Sequence, residues 1–153
     1  MDIQRISPDN PAARALIDAT DRYMQSLYPA ESNHLESIDA LMAANVTFFG
    51  CYVGTALVGC GAVKILCDDG SYGEIKRMFV TPENRGKGIS VAIMNRLEAH
   101  LSANGIDVSR LETGVHQPEA LGLYEKLGYA YRRPFGCYKP DPLSVFMEKK
   151  LTV

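Results

Sequence analysis

The sequence predicts an α/β domain built on a central mixed sheet. Its 153 residues suffice for one domain with its own core and are too few for two. Apolar residues make up 46% and charged residues 22%, ordinary globular values that exclude a disordered or fibrous chain. Apolar alternation of period two and of helical period follow one another in the order β-α-α-β-β-β-α-β-α-β-β. No repeat or low-complexity stretch suggests a domain boundary, so residues 1–153 are taken as one domain.

The elements follow in order. Residues 2–6 form a short strand. Asn10 caps a helix that opens on Pro11, with Leu16, Ala19, Tyr23 and Leu27 on one face and Pro29 as its stop. Asn33, with Glu36 three residues on, resembles a capping box opening a second helix with Leu35, Ile38, Leu41 and Met42 as its stripe. Residues 40–63 contain no charge, which meets the length criterion for a membrane span. Gly50, Gly54, Gly59 and Gly61 interrupt the stretch, and its apolar residues are β-branched and aromatic. A buried hairpin of strands 46–52 and 56–66 explains this composition better than a spanning helix. A turn at 67–71 leads into a strand over 72–80. A polar, Gly-rich connection (81–88) then opens a helix of about fifteen residues with Ile93, Leu97 and Leu101 inside, ending near Gly105. Strand 106–113, helix 118–127 closed by Gly128, and strands 129–133 and 144–151 complete the chain.

Charge and cysteine usage narrow the partners. Sixteen Lys and Arg against eighteen Asp and Glu leave a net charge of −2, so no basic excess is available for general nucleic-acid binding. Cys51, Cys60, Cys67 and Cys137 show no metal-type spacing, and neither do the three histidines. Buried free thiols in a reducing cytoplasm are the expectation, with no metal. The first residues lack the cationic flank and apolar run of a signal peptide.

The strand–loop–helix at 72–103 carries the strongest chemical signal. A Gly-rich loop opening a helix presents unpaired N–H groups and a positive dipole end, suited to phosphate. Gly86 and Gly88 allow close approach, and Arg85 and Lys87 add charge. Neither a P-loop nor a dinucleotide fingerprint is present. In the preceding strand Ile75 falls out of phase with Met78 and Val80. A β-bulge near Lys76–Arg77 would bring all three into the core and splay the strand from its neighbour.

Arg85-Gly86-Lys87-Gly88-Ile89-Ser90 resembles the R/Q-x-x-G-x-G/A acyl-CoA loop of the GNAT N-acetyltransferase superfamily, with Ser90 in place of the usual Gly or Ala. Leu123-Tyr124-Glu125-Lys126-Leu127-Gly128-Tyr129 is similar to its LYxxxGF signature, and further segments around Glu31–His34, Gly59–Lys64, Leu111–Gly114 and Asp141–Met147 resemble the small bacterial YsnE-like branch. The resemblance implies a twisted sheet with helices on both faces and an acyl-CoA cleft between splayed central strands. It implies N-acetyl transfer from acetyl-CoA to a small-molecule or peptide amine by direct attack, with no covalent enzyme intermediate. It is compatible with a homodimer and gives no role to nucleic acid or membrane.

The family pattern assigns roles residue by residue. Backbone groups of the Met78-Phe79-Val80 segment would meet pantetheine, and the N–H groups from Gly86 through Ile89 and Ser90 to Val91 would hold the pyrophosphate. Gln117 stands where relatives have a cofactor-touching Asn, and Tyr124 where they have the donor to the departing thiolate. Glu74 and Glu112 occupy two alternative positions of the general base, and the spacing to Val80 favours Glu74. The plainer alternatives are a structural ion pair for either Glu and simple packing for Tyr124. The loops at 28–35 and 132–138 flank the acceptor side, making Tyr28, Glu31, His34, Arg132 and Arg133 candidate acceptor contacts. The reading from another class is a catalytically silent acyl-CoA-binding sensor or partner subunit, which need keep only the loop.

Overall fold

The computed structural model describes residues 1–152. Its elements are β1 (Asp2–Arg5), α1 (Pro11–Leu27), α2 (Ile38–Leu41), β2 (Val46–Val53), β3 (Ala56–Leu66), β4 (Tyr72–Val80), α3 (Ile89–Ala103), β5 (Val108–Gly114), α4 (Pro118–Lys126), β6 (Ala130–Arg132) and β7 (Ser144–Lys150). This is the predicted order. The strands form one sheet, β1-β2-β3-β4-β5-β7-β6, antiparallel except where β4 meets β5.

Helices cover both faces. On one, α3 lays Ile93, Met94, Leu97 and Leu101 against Phe49, Val63, Ile75 and Leu111. On the other, Ala13, Leu16 and Ile17 of α1 and Leu41 of α2 pack on Phe48, Cys60, Ala62 and Phe79. Phe48 and Phe49 therefore point into opposite cores. Burial on both faces explains why the uncharged stretch at 40–63 is so apolar, and among the described residues no helix is long and apolar enough to cross a membrane. Each fully buried aliphatic side chain here is worth roughly 1.5–3 kcal/mol. Glycine sets the helix–sheet distance: a Cβ on Gly73 would come within 2.2 Å of Leu101, and one on Gly61 within 2.8 Å of Ile93.

Two irregularities open the sheet. Cys60 pairs with Phe79 but Ala62 pairs with Lys76, so Gly61 alone faces Arg77 and Met78. This is the anticipated bulge, and it brings Ile75, Val80 and the partly buried Met78 to the α3 side together. Arg77 takes φ 58°, a left-handed conformation unfavourable for a side-chain-bearing residue. Its guanidinium donates to Asp21 and to the Glu36 carbonyl, and its own carbonyl accepts from the Cys60 thiol at 3.2 Å. Beside the bulge, β4 and β5 pair only from Gly73–Ser109 to Ile75–Leu111; beyond that β4 runs on to Val80 and β5 to Gly114 without pairing to each other.

Three expectations are corrected. The capping box at Asn33 does not form. Asn33 Nδ2 donates to the Tyr28 carbonyl at 3.0 Å, Glu36 is drawn to Lys76, and Ser37 caps a single turn ending at Leu41. The fully buried face of α1 is Ala13, Leu16, Ile17 and Thr20; of the predicted stripe Leu16 belongs to it, while Ala19 and Tyr23 pack at its edge half-buried. Of the four free thiols only Cys51 and Cys60 are buried; Cys67 and Cys137 lie in exposed turns.

Candidate active site

The unpaired ends of β4 and β5 bound two cavities that meet. The larger, about 460 Å³, runs from Met78, Phe79 and Val80 to the N-terminus of α3. Thr81 N–H donates to the Val58 carbonyl at 2.9 Å, so by alternation the N–H and C=O of Val80 turn away from β3 and into the cleft. Arg85 Nε donates to that carbonyl at 3.0 Å, and its guanidinium lies over the rings of Tyr23 and Phe79. The first bond within α3 runs from Ala92 N–H to the Gly88 carbonyl at 3.1 Å, leaving the N–H groups of Ile89, Ser90 and Val91 without helical acceptors. Gly86 and Gly88 have φ 77° and 79°, so the turn that aims these groups needs residues free of a Cβ. Free amide donors at a helix N-terminus, followed by an unpaired strand edge, fit a pyrophosphate followed by an amide-bearing chain. Lys87 is exposed, 3.4 Å from Asn84 Oδ1, and does not line this groove.

The smaller cavity, about 90 Å³, lies between β4, β5 and the loops ahead of α2 and β7. Lys76 is its hub: Nζ donates to Glu36 Oε1 at 2.9 Å, Glu74 Oε2 at 3.0 Å and the Tyr138 hydroxyl at 3.1 Å. Burial pulls the Lys76 ammonium down, but Glu74 and Glu36 together hold it above its ordinary range. The Tyr138 hydroxyl in turn donates to Glu74 Oε2 at 2.5 Å. Glu112 enters from β5, and burial pushes its carboxyl above the usual range against the fields of His34 and Lys76. The roof is zipped from two loops: His34 stands edge-on to Tyr138 at 5.1 Å, and Ser32 Oγ donates to Asp141 at 2.7 Å. Phe135 anchors the second loop edge-on to Tyr72, Tyr138 and Phe146.

Thr20, Met24, Met78, Gln117 and Tyr124 line both cavities. Tyr124 is buried, and its hydroxyl makes no hydrogen bond among the described residues; burial first, then Glu112, raises its pKa. The hydroxyl is therefore protonated at neutral pH.

The predicted site residues divide clearly. Glu74, Glu112, His34, Gln117 and Tyr124 converge with the Met78–Val80 and Gly86–Val91 segments, Lys87 excepted. Tyr28, Glu31, Arg132 and Arg133 line neither cavity. Tyr28 is a brace: its hydroxyl accepts from His116 N–H at 3.0 Å and meets Gln117 Oε1 at 3.3 Å, and a Cβ on Gly114 would come within 1.8 Å of it. Glu31 is exposed in a short 3₁₀ turn. Arg132 is paired with Glu148 and lies over Phe135, and Arg133 is exposed at the end of β6. Sequence reading missed Lys76, Tyr138 and the site role of Glu36. The bulge was the available signal, because it turns Glu74 and Lys76 to the side opposite Met78 and Val80, with which a regular strand would align them.

The acetyltransferase (GNAT) family profile matches residues 12–129. An IAA acetyltransferase of Azospirillum brasilense is 47% identical over 149 residues, 97% of each chain. The uncharacterized N-acetyltransferase YsnE of Bacillus subtilis is 33% identical, covering 95% of this chain and 99% of its own. A Klebsiella pneumoniae structure solved as a candidate acyl-CoA N-acyltransferase superposes with TM-score 0.82 at 34% identity, over 99% of this chain and 97% of its own. The fold is shared with the PaiA N-acetyltransferase of Thermoplasma acidophilum, solved with coenzyme A, at TM-score 0.71 and 18% identity over 97% and 98% of the two chains. With its splayed strands and glycine-turned helix terminus, the chain belongs to the GNAT acetyltransferase family.

Proposed function

We propose that the protein transfers an acetyl group from acetyl-CoA to a primary amine by direct attack. One observation carries this reading: the donor-shaped groove and the carboxylate-lined pocket meet at an unbonded, protonated tyrosine, Tyr124. The coenzyme A bound by the Thermoplasma neighbour supports acetyl-CoA as the occupant of the groove. When bound, that molecule supplies a thioester. The Val80 N–H, turned into the cleft, is placed to bond the thioester carbonyl as it gains charge. Glu112 takes one proton from the entering ammonium. Nitrogen then bonds the acetyl carbon, the carbon–sulfur bond breaks as Tyr124 gives its proton to the departing sulfur, and the nitrogen's second proton restores the Tyr124 hydroxyl. Glu74 Oε2 already accepts from Lys76 and Tyr138, which supports Glu112 as the base in place of the Glu74 that spacing favours. Free thiols and the lack of any spanning helix among the described residues fit a cytoplasmic enzyme.

Acetyl-CoA at a hundredfold excess over its Kd should raise Tm by about 5–10 °C. A panel of amines, with IAA included because a 47% identical relative carries that name, should release CoA with at least one acceptor. A Tm shift without CoA release from any acceptor would identify the silent acyl-CoA-binding module instead.

A further inference from the structure

Resting on the acetyl-transfer reading, we infer that the acceptor is a slender aliphatic amine that carries a second positive charge and no carboxylate. The pocket of about 90 Å³ takes an unbranched chain of a few methylenes, not a polyhydroxylated ring or a folded peptide. Its electrostatics exclude an acid. Glu36, Glu74 and Glu112 line it, and its one ammonium is already satisfied: the three hydrogens of Lys76 meet oxygens of Glu36, Glu74 and Tyr138. The Arg77 guanidinium, also on the wall, is committed to Asp21 and the Glu36 carbonyl. His34, at the exposed rim, lies in the fields of Glu112 and Asp141. A substrate carboxylate would therefore find no free cationic partner among the described lining residues, and it would face like charge.

A second ammonium finds the opposite. Glu36 is more open to the mouth than Glu74, with its side chain 21% exposed against 6%. Lys76 engages only its Oε1, so Oε2 is free to receive a cation arriving from solvent. An extended diamine thus places its reacting nitrogen at Glu112 and Tyr124 and its distal ammonium at Glu36. The reacting end follows the same chemistry as before, losing one proton to Glu112 and forming the acetamide as the carbon–sulfur bond breaks.

The test uses matched acceptors with the intact enzyme. Cadaverine is lysine without its carboxylate, and pentylamine is cadaverine without its second amine. Values of kcat/KM should fall in the order cadaverine, pentylamine, lysine, by about tenfold at each step. Glu36→Gln should raise KM for cadaverine about fivefold to tenfold, towards that of pentylamine, with kcat retained and the CoA-induced Tm shift intact. Lysine or IAA turning over ahead of cadaverine overturns the acceptor class and leaves acetyl transfer standing. So does a Glu36→Gln enzyme that keeps its preference for cadaverine over pentylamine. Binding of acetyl-CoA with no acetylated product from any of these acceptors overturns the transfer reading, and the acceptor class with it.

Discussion

The donor groove and the acceptor pocket share five residues yet are built by different means. The groove is made of backbone: amide groups at the N-terminus of α3, the unpaired edge of β4, and two glycines with positive φ. The pocket is made of side chains that arrive from distant places in the chain, Glu36 from the loop ahead of α2, Lys76 from the bulge, Glu112 from β5 and Tyr138 from the loop ahead of β7. A backbone site tolerates any side chain that does not obstruct it. A side-chain site changes its chemistry with each substitution. One fold can thus keep its donor while its acceptor varies.

The largest expected effect falls on the backbone side. Gly88→Glu should abolish the acetyl-CoA Tm shift, because it forces a side chain into φ 79° and sets a negative charge where the phosphates would lie. Circular dichroism should show the fold retained. Unaltered affinity would move the phosphate site elsewhere and end the comparison.

Next comes the junction. Tyr124→Phe should lower kcat about a hundredfold or more with little change in CoA affinity, as expected for loss of a general acid. Full activity would reduce Tyr124 to a packing residue.

Glu112→Gln should cost about tenfold to a hundredfold near neutral pH and erase the acidic limb of the kcat/KM profile. Because burial raises the Glu112 pKa, that limb lies above the ordinary carboxylate range in the native enzyme. The deficit should shrink at high pH, where the amine arrives deprotonated. Stability carries the same sign. A carboxyl with a raised folded-state pKa loses stability as pH rises from its unfolded value, about 4.3, through the folded one. Glu112→Gln should therefore match the wild-type Tm at pH 4 and exceed it by a few degrees or less at neutral pH. If Glu74→Gln erases the acidic limb instead, the base is Glu74.

Tyr138→Phe should have the smallest effect, a few-fold rise in acceptor KM with CoA binding unchanged. It removes one hydrogen bond to Glu74 and one from Lys76 while leaving the ring against His34 and Phe135. An equal loss of donor affinity would show that the two cavities are not separable.

The same contrast explains what the sequence made legible. β4 occupies the expected residues 72–80 and α3 the expected fifteen, because local period and glycine position determine both. The bulge was readable from the phase of Ile75 against Met78 and Val80. Tyr124 and the α3 loop lie in contiguous motifs. The pocket was only half legible. Glu36 looked like a capping residue because its partner, Lys76, lies forty positions away and its ion pair leaves no local trace. Arg132 and Arg133 had free charge in the sequence, but Arg132 is consumed by Glu148 across the sheet. Long-range pairing decides such residues, and nearest-neighbour pattern does not reach it.

The bulge also sets a limit on insertions and deletions. With Arg77 deleted, Gly61 would face Met78 alone, β4 would pair regularly with β3, and each remaining side chain of the strand would keep its face. What would go is the bend that splays β4 from β5, together with the guanidinium that holds Asp21 and the Glu36 carbonyl. A single lost codon there would narrow the cleft between the strands while leaving the main core in place. Elsewhere, exposed turns such as that around Gly54 tolerate changes in length. Among descendants of this chain, length should vary at the hairpin tips and stay fixed at Arg77.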